Sequence, residues 1–281
     1  MDLALAEMPL TARPFSAQDV LRLESAFLKE EQVDCPVTHH FGPGVYIREV
    51  VLPAGAYIIG HAHKDTHLNV MLEGRLTIIK EDGTRRELAA PQTFVSGPGR
   101  KIAYIHETVR WQNIYATPET DVDALETLLF DKSAAFVESQ ALLAYDSAAD
   151  QSDFALAIAE FGFDAVTVAA VSENEADQIP FPQGSYKVAV MPSMIHGKGL
   201  FATADIAANE LIAPARLNGK RTPAGRYTNH SAAPNAEMVL SENGDIYLFS
   251  KEVLFGCKGG SNGGEITVDY RHALSLTLGV Y

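Results

Sequence analysis

The alternation of apolar and polar residues predicts strands over the first half of the chain, preceded by one helix. In residues 17–30, Val20, Leu23 and Phe27 recur near helical spacing, which indicates a short amphipathic helix. From residue 45 to residue 116, β-branched and aromatic runs such as VYIREVVL and VRWQNIY alternate with glycine and proline turns. Short strands at this spacing are typical of a sandwich or a barrel.

The pattern changes again in the second half. Val122, Leu125 and Leu129 lie on one face of a predicted helix, and strand-like runs return at YKVAVMPS and continue to EITVDY. The sequence therefore predicts a mainly β protein, α+β overall. Its predicted segments are an N-terminal extension with the short helix (1–44), a β-barrel (45–116), a helical connector (117–171), a polar linker (172–184) and a compact C-terminal β domain (185–281).

Composition and charge narrow the classes of function. The 281 residues are 47% hydrophobic and 21% charged, which is ordinary for a globular protein and argues against disorder. The net charge of −14 disfavours nucleic-acid binding, which needs a basic surface. This charge favours a cationic partner such as a lysine-bearing protein, although solubility is the commoner reason for an acidic composition.

The chain shows no pattern of a membrane span or a secretory signal. No run approaches the roughly 18 apolar residues that a span needs, and the N-terminal MDLALAEMPLTARPF lacks a basic region. Cys35 and Cys257 allow one disulfide, but so few cysteines suit a reducing compartment. We therefore expect a cytoplasmic protein without a membrane partner, and homo-oligomerisation stays open.

Three histidines cluster in the stretch GAYIIGHAHKDTHLNVMLEG. His61, His63 and His67 are separated by even numbers of residues, so side chains in a strand would point to the same face. Imidazoles are common ligands of first-row transition metals, and Zn, Fe, Ni, Mn and Co are the candidates here. A metal site is one interpretation of this pattern, and surface histidines on a structural barrel are the other.

The same stretch resembles the first motif of the cupin family, which has a glycine, a His-x-His pair, a glutamate and a second glycine. The matching residues are Gly55, His61, His63 and Gly74. His67 stands where the family has its glutamate ligand, and His106 is a weak fourth ligand because the second motif expects a histidine near Ile102. The resemblance implies a cupin-like barrel over residues 45–116. This region also resembles small cupin-like proteins of phages and prophages.

Three segments of the second half resemble, in their order, the signature of the SET methyltransferase family. They are IHGKGLFATA (195–204), GRYTNHSAAPN (225–235) and GGEITVDYR (263–271). The resemblance covers about residues 185–271 and implies a compact β fold with a pseudoknot. It also implies binding of S-adenosylmethionine and methylation of a lysine on a protein partner.

The SET resemblance implies roles for single residues. The cofactor-binding residues that it implies are Lys198, Gly199, Leu200, Asn229 and His230. Tyr270 would be catalytic, with its hydroxyl orienting the acceptor amine beside the transferring methyl group. Direct displacement at a sulfonium-activated carbon relies on positioning and desolvation, which explains the lack of a strong base in these motifs.

The sequence departs from the SET pattern in the part that would bind the substrate. Ala232 stands in place of the cysteine of the signature, and the segment between Glu210 and Asn229 is too short for the usual insert beside the lysine channel. Three functions therefore stay open. They are a protein-lysine methyltransferase with a metal-binding cupin-like domain, a cupin metalloenzyme acting on a small molecule, and a non-enzymatic phage-associated binding or assembly protein.

Overall fold

The computed structural model describes residues 17–30, 32–79, 84–141, 148–256 and 264–278. In chain order, the strands are β1 (Val37–Gly42), β2 (Val45–Leu52), β3 (Tyr57–Ile59), β4 (Ala62–His63), β5 (His67–Ile79), β6 (Arg85–Ala89), β7 (Gln92–Ser96), β8 (Ile102–Ala116), β9 (Phe130–Asp131), β10 (Gly184–Tyr186), β11 (Val188–Pro192), β12 (Lys198–Ala202), β13 (Leu211–Leu217), β14 (Lys220–Arg221), β15 (Asn229–His230), β16 (Ala236–Leu240), β17 (Ile246–Ser250) and β18 (Glu265–Val268). The helices are α1 (Ala17–Phe27), α2 (Val122–Leu129), α3 (Ala134–Ala141), α4 (Ala148–Glu160), α5 (Ala165–Glu173), α6 (Pro223–Tyr227) and α7 (Tyr270–Leu278), with a 3₁₀ helix at Glu175–Asp177. The mainly β character of the chain is thus confirmed, and α1 forms where the sequence predicts a helix. Cys257, one of the two cysteines that could form a disulfide, lies outside the described residues.

Most of the first half forms one antiparallel sheet, called the first sheet below. Within the described residues its strand order is β10-β1-β2-β8-β5-β6, with β3 paired to β8 and β7 paired to β5. Strands β5 and β8 have 13 and 15 residues and pair with each other over most of their length. Each also pairs on its other edge with two successive shorter strands. The long strands therefore curve, and the sheet bends around an interior space.

The closed barrel expected from the sequence is not formed. In the part of the chain that the structure describes, β10 and β6 end the strand order and do not pair with each other. Strand β5 is irregular between Met71 and Leu76, where its register against β8 shifts, and Gly74 has a φ of 87°. A Cβ atom at Gly74 would collide with the carbonyl oxygen of Thr108, so this position needs glycine. The bulge curves the sheet without closing it.

Strand pairing crosses the segment boundaries that the pattern predicts. Strand β1 lies within the predicted N-terminal extension and pairs with β10, which begins at the end of the predicted linker. The linker is also tied to the second half, because the Arg221 guanidinium donates to the Asp177 carboxylate at 2.9 and 3.0 Å. Residues 172–184 therefore pack against the fold on both sides and do not act as a free connection.

The second half contains two small sheets. Among the described residues their strand orders are β11-β12-β18-β15 and β14-β13-β17-β16. Strands β15 and β18 pair in parallel, with Asn229 opposite Thr267 and His230 opposite Val268. This pairing brings the segment GRYTNHSAAPN beside EITVDY, but it does not establish the predicted pseudoknot.

The two halves share one apolar core. Tyr115 of the first sheet, Leu125 of α2 and Leu200 of β12 belong to the same cluster of buried side chains. A second cluster, which includes Met71 and Ile105, lies within the first sheet. Both clusters exclude water from the strands that carry the candidate sites, so those strands form fixed supports.

The helices flank these sheets. Helix α4 contacts both β15 and α7, and α1 contacts α3. No single helix in the described ranges is long and apolar enough to cross a membrane. The segments Ser152–Glu160 and Ala165–Glu173 reach such a length only together, and they are bent by 86°.

Candidate functional site

The first sheet encloses a cavity of about 450 Å³, called the sheet cavity below. Strands β2, β3, β5 and β8 supply most of its wall, and Phe27 of α1 and Phe136 of α3 add aromatic rings. Its other apolar side chains include Val50, Leu52, Leu76, Ile78, Ala103 and Phe130. Cavities of this size, with apolar walls and few polar groups, are typical sites for small molecules.

A buried polar network lies in the wall of the sheet cavity. The side-chain oxygen of Asn69 accepts hydrogen bonds from the Trp111 indole at 3.1 Å and from the Asn113 amide at 2.9 Å. All three side chains line the cavity and are buried. Because Asn69 comes from β5 and the other two come from β8, the network ties the long strands together. It also fixes the indole of the chain's single tryptophan.

Two cations also line the sheet cavity. The Arg48 Nε atom is buried without a hydrogen-bond partner, and the nearest carboxylate oxygen is on Glu126 at 3.8 Å. Lys101 has no carboxylate within ion-pair distance among the described residues. Burial lowers the pKa of Lys101 to about 8. The cavity therefore holds positive charge in surroundings that are mostly apolar.

Of the three clustered histidines, His63 and His67 come together, and the set does not fit the predicted metal. The rings of His63 and His67 stack with centroids 4.0 Å apart and planes at 13°. Nδ1 of His63 is hydrogen-bonded to the Tyr115 hydroxyl at 2.7 Å, and Nδ1 of His67 donates to the carbonyl of Asp65 at 3.0 Å. Stacked rings present their faces to each other, whereas a metal needs ring nitrogens that converge. In the described part of the chain, no group of three or more His, Cys, Asp or Glu side chains could hold a metal ion.

Burial also affects the charge of two rings in the cluster. Burial lowers the pKa of His61 to about 4. Burial also lowers the pKa of His63 to about 2, and the neighbouring His67 and the cations of Lys101 and Arg48 lower it further. These rings are therefore neutral at physiological pH. Elsewhere on the sheet, His106 is bonded to the Thr77 hydroxyl at 2.8 Å, and the weak fourth ligand thus takes part in a strand-to-strand contact.

We expect replacement of Lys101 with methionine to raise the free energy of unfolding at neutral pH. The folded-state pKa of about 8 lies below the ordinary value of 10.5, so between these values the unfolded wild type binds more protons than the folded protein. Wild-type stability should therefore rise with pH across this range. The advantage of the variant should be complete below about pH 8 and fade toward about pH 10.5.

Urea unfolding at several pH values measures this difference, and Lys220→Met serves as a matched control because Lys220 is exposed. The control should show no such pH dependence. A Lys101→Met variant whose difference from wild type is the same at every pH would contradict the expected burial of this amine.

The structure also brings together the residues that the SET resemblance singles out. The side-chain amide of Asn229 donates to the carbonyls of Lys198 and His196, at 3.1 and 3.2 Å, and to the carboxylate of Glu265 at 2.8 Å. A Cβ atom at Gly199 would collide with this same carboxylate. These hydrogen bonds of Asn229 tie β12 to β18. Gly199 makes room for Glu265.

His230 and Tyr270 form a second set of contacts beside Asn229. The backbone N–H of Tyr270 donates to Nδ1 of His230 at 3.1 Å, so Nε2 carries the ring proton and donates to the Asp153 carboxylate at 2.9 Å. The Tyr270 hydroxyl donates to the carbonyl of Thr228 at 3.1 Å. Burial raises the pKa of Tyr270 to about 12, so the hydroxyl stays protonated at physiological pH. Of the other predicted residues, Leu200 lies in the shared core.

Helix α4 covers this cluster, a role that the sequence did not reveal. The ring of Phe154 lies 5.7 Å from that of Tyr270 and 6.1 Å from that of His196, between centroids. Next to it, Asp153 accepts hydrogen bonds from Arg271 at 2.9 and 3.0 Å. Arg271, together with the His230 hydrogen bond, lowers the pKa of Asp153 to about 2. The ion pair that holds α4 in place is therefore complete at neutral pH.

Hydrogen bonds within the protein also explain why the segment GRYTNHSAAPN is polar. The Asn235 amide donates to the carbonyl of Glu265 at 2.8 Å, and its oxygen accepts from the backbone N–H of Thr267 at 2.9 Å. The side chain thus pairs with β18 as a neighbouring strand would. Both asparagines of this segment therefore bond to part-buried backbone groups of other segments, which need partners in the folded chain.

The sequence did not indicate most of the residues that line the sheet cavity. Arg48, Lys101, Asn69, Trp111 and Asn113 were not singled out, although all five line it. A signal existed in the two long strands, where polar residues interrupt apolar runs in HLNVML and RWQNIY. Polar side chains in the middle of buried strands need hydrogen-bond partners, and their pairing across the sheet marks the wall of the cavity.

Comparisons with known proteins give likenesses for part of the chain. No protein-family model and no curated protein matches it. One similar solved structure is the cupin domain of an XRE-family transcriptional regulator from Enterobacter cloacae, with 19% identity over 28% of this chain and 93% of that chain and a TM-score of 0.25. Another is a cupin-2 domain protein from Shewanella frigidimarina, with 14% identity over 36% of this chain and 99% of that chain and a TM-score of 0.25. A third, FeII HppE, has 11% identity over 26% of this chain and 43% of that chain and a TM-score of 0.23. At these identities and TM-scores, the likeness carries no conclusion about what this chain binds. These comparisons give no support to the SET resemblance or to a relation with phage proteins.

Proposed function

We propose that this chain binds a small organic molecule in the sheet cavity. The observation that carries the proposal is the cavity itself, which combines about 450 Å³ of space with apolar walls and a few fixed polar groups. The network of Asn69, Trp111 and Asn113 holds one wall in a defined shape. A resident metal is not part of the proposal, because the histidine cluster does not fit one.

The expected affinity follows from the area that a ligand can bury. An aromatic ring buries roughly 150 Å², which at about 25 cal/mol per Å² gives about 4 kcal/mol. The loss of translational and rotational freedom opposes this gain. Polar contacts supply the remainder, so a simple aromatic compound should bind with a Kd in the range of about 1 mM to 1 μM.

Phenylacetate and phenylacetamide test the proposal, with the emission of Trp111 as the signal. Either compound should change this emission in a saturable way, because the chain's single tryptophan lies in the cavity wall. Ala103→Phe places a ring inside the cavity and should weaken binding by roughly tenfold or more, which corresponds to about 1.4 kcal/mol.

Val95→Phe is the matched control, because it adds the same ring at an exposed position on β7. This control should bind both compounds like the wild type. Absence of a saturable signal with both compounds, or equal affinity in the Ala103→Phe variant, would contradict the proposal.

A second candidate function is methyl transfer from S-adenosylmethionine to a protein lysine, in the second half of the chain. The observation that favours it is the proximity of Lys198, Asn229, His230 and Tyr270, which come from three separate segments. The cofactor would supply an activated methyl group. Tyr270 would orient the acceptor amine, and Phe154 of α4 would have to move for the cofactor to reach the tyrosine ring.

Transfer of labelled methyl groups to a protein lysate and to basic peptides tests this second candidate. Tyr270→Phe removes one hydroxyl and keeps the ring, so it should lower turnover by roughly 10- to 150-fold, equivalent to about 1.5–3 kcal/mol. Its effect on cofactor affinity should be much smaller. No binding of S-adenosylmethionine by the wild type at millimolar concentration, or unchanged turnover in the variant, would contradict it.

A further inference from the structure

We infer that the ligand of the sheet cavity is an organic anion, a small carboxylate with an apolar body. This inference rests on the proposed binding function and names the class of molecule. Its basis is the balance of charge in the cavity wall. Positive groups exceed the negative groups that could neutralise them, although the whole chain has a net charge of −14. A local excess of positive charge in an acidic protein needs a specific explanation.

Lys101 is the first source of this excess. Its side chain lines the cavity beside Ala103, two positions along the same face of the chain. No carboxylate lies within ion-pair distance of its ammonium group in the described ranges. An unpaired charge in apolar surroundings lowers stability, and a bound carboxylate would offset this cost by supplying the missing partner.

Arg48 is the second source. Among the described residues, the carboxylate within ion-pair distance of Arg48 is that of Glu126, which lies 3.8 Å away and is also paired with Lys132 at 3.2 Å. One negative charge therefore serves two cations. The guanidinium lies 5.7 Å from the ring centroid of Phe130, and its buried Nε has no hydrogen-bond partner. A donor of this kind can bind a carboxylate oxygen strongly.

The negative groups in the wall do not cancel these charges. Glu24 is already bonded to Arg100 at 2.6 Å, and Glu30 is exposed to solvent. Lys101 lies close to the segment that carries His63, because its carbonyl accepts from the backbone N–H of Gly60 at 3.2 Å. Arg48 reaches the same histidine through Phe130, whose ring centroid lies 5.0 Å from that of His63 and 5.7 Å from the guanidinium. The two cations therefore lie toward the same end of the cavity.

The remaining wall fits the apolar body of such a ligand. His61, at the end with the cations, has a buried Nδ1 without a partner, which can also bond to a carboxylate. Leu76, Ile78 and Trp111 also line the cavity and offer apolar contact surface. The cavity therefore combines cations that suit a carboxylate with apolar side chains that suit an aliphatic or aromatic group.

Phenylacetate and phenylacetamide form a matched pair for the test, because they share a shape and differ in charge at neutral pH. Calorimetry of the full chain should show phenylacetate binding roughly tenfold or more tightly than the amide, a difference of about 1.4 kcal/mol. In Lys101→Met this preference should fall below about threefold, whereas Lys101→Arg should keep most of it. Lys220→Met, at an exposed position, should behave as the wild type.

The outcomes separate this inference from the proposal on which it rests. If acid and amide bind the wild type equally well, the cavity binds small molecules but does not recognise charge, and only the inference of an anionic ligand is contradicted. If neither compound binds, the proposed binding function and the inference are both contradicted. An unchanged preference in Lys101→Met, with thermal unfolding showing a folded variant, would also overturn the inference.

Discussion

Replacing Gly74 with alanine is expected to lower the free energy of unfolding by about 2–6 kcal/mol. Gly74 has a φ of 87°, which costs about 1–3 kcal/mol in a residue with a side chain. In addition, the new Cβ would collide with the backbone carbonyl of Thr108 on β8, and overpacking of this kind costs about 1–3 kcal/mol. Urea unfolding of the variant measures the sum.

Gly55→Ala is a matched control for this substitution. Gly55 has a similar φ of 81°, but nothing lies within 4 Å of its potential Cβ. We expect Gly55→Ala to lower the free energy of unfolding only by the cost of its positive φ, about 1–3 kcal/mol. Equal losses in the two variants would show that close approach of β5 and β8 at the bulge is not what requires glycine. The larger loss at Gly74 should also be accompanied by weaker ligand binding, because the bulge shapes the sheet cavity.

Replacing Asn229 with aspartate is expected to lower the free energy of unfolding by about 3–5 kcal/mol. The substitution keeps the shape of the side chain but removes the donor that binds the Glu265 carboxylate at 2.8 Å and the Lys198 carbonyl at 3.1 Å. Two carboxylates would then face each other in a site where Asn229 is only 7% exposed. Losing a buried charge's partner costs about 3–5 kcal/mol in other proteins.

Two further variants distinguish repulsion from simple loss of a hydrogen bond. Asn229→Ala removes the donor without adding charge, so its cost should be smaller than that of Asn229→Asp. Adding Glu265→Gln to Asn229→Asp removes one of the two charges and should recover part of the lost stability. No recovery in the double variant would show that the carboxylates are not in contact.

Local patterns in the sequence were sufficient to predict several elements of the fold. The helical spacing of Val20, Leu23 and Phe27 predicted α1, and the alternating runs between residues 45 and 116 predicted strands. The pairing of distant segments was not predictable. Strand β1 pairs with β10 far along the chain, and the apolar pattern of each strand gives no information about such a partner.

The candidate sites also depend on contacts between segments that local sequence patterns do not predict. His63 and His67 do lie close together, but on the separate strands β4 and β5 and not on the one face of a single strand that even spacing implies. The spacing also could not reveal that their rings stack or that the Tyr115 hydroxyl occupies one ring nitrogen. The roles of Lys101 and Arg48 depend on which carboxylates lie near them. That distribution of charge arises only when β2 and β8 curve around the cavity, so it has no signature in spacing or composition.

The nuclear magnetic resonance signal of the Trp111 indole N–H tests the central claim most directly. The chain has one tryptophan, its indole donates to Asn69, and both residues line the sheet cavity, so a single cross-peak reports on this wall. Titration with phenylacetate should move this cross-peak in a saturable way, and Ala103→Phe should weaken the response by roughly tenfold or more, about 1.4 kcal/mol. An indole cross-peak that stays in place at millimolar phenylacetate, while signals elsewhere in the protein move, would contradict binding in the cavity.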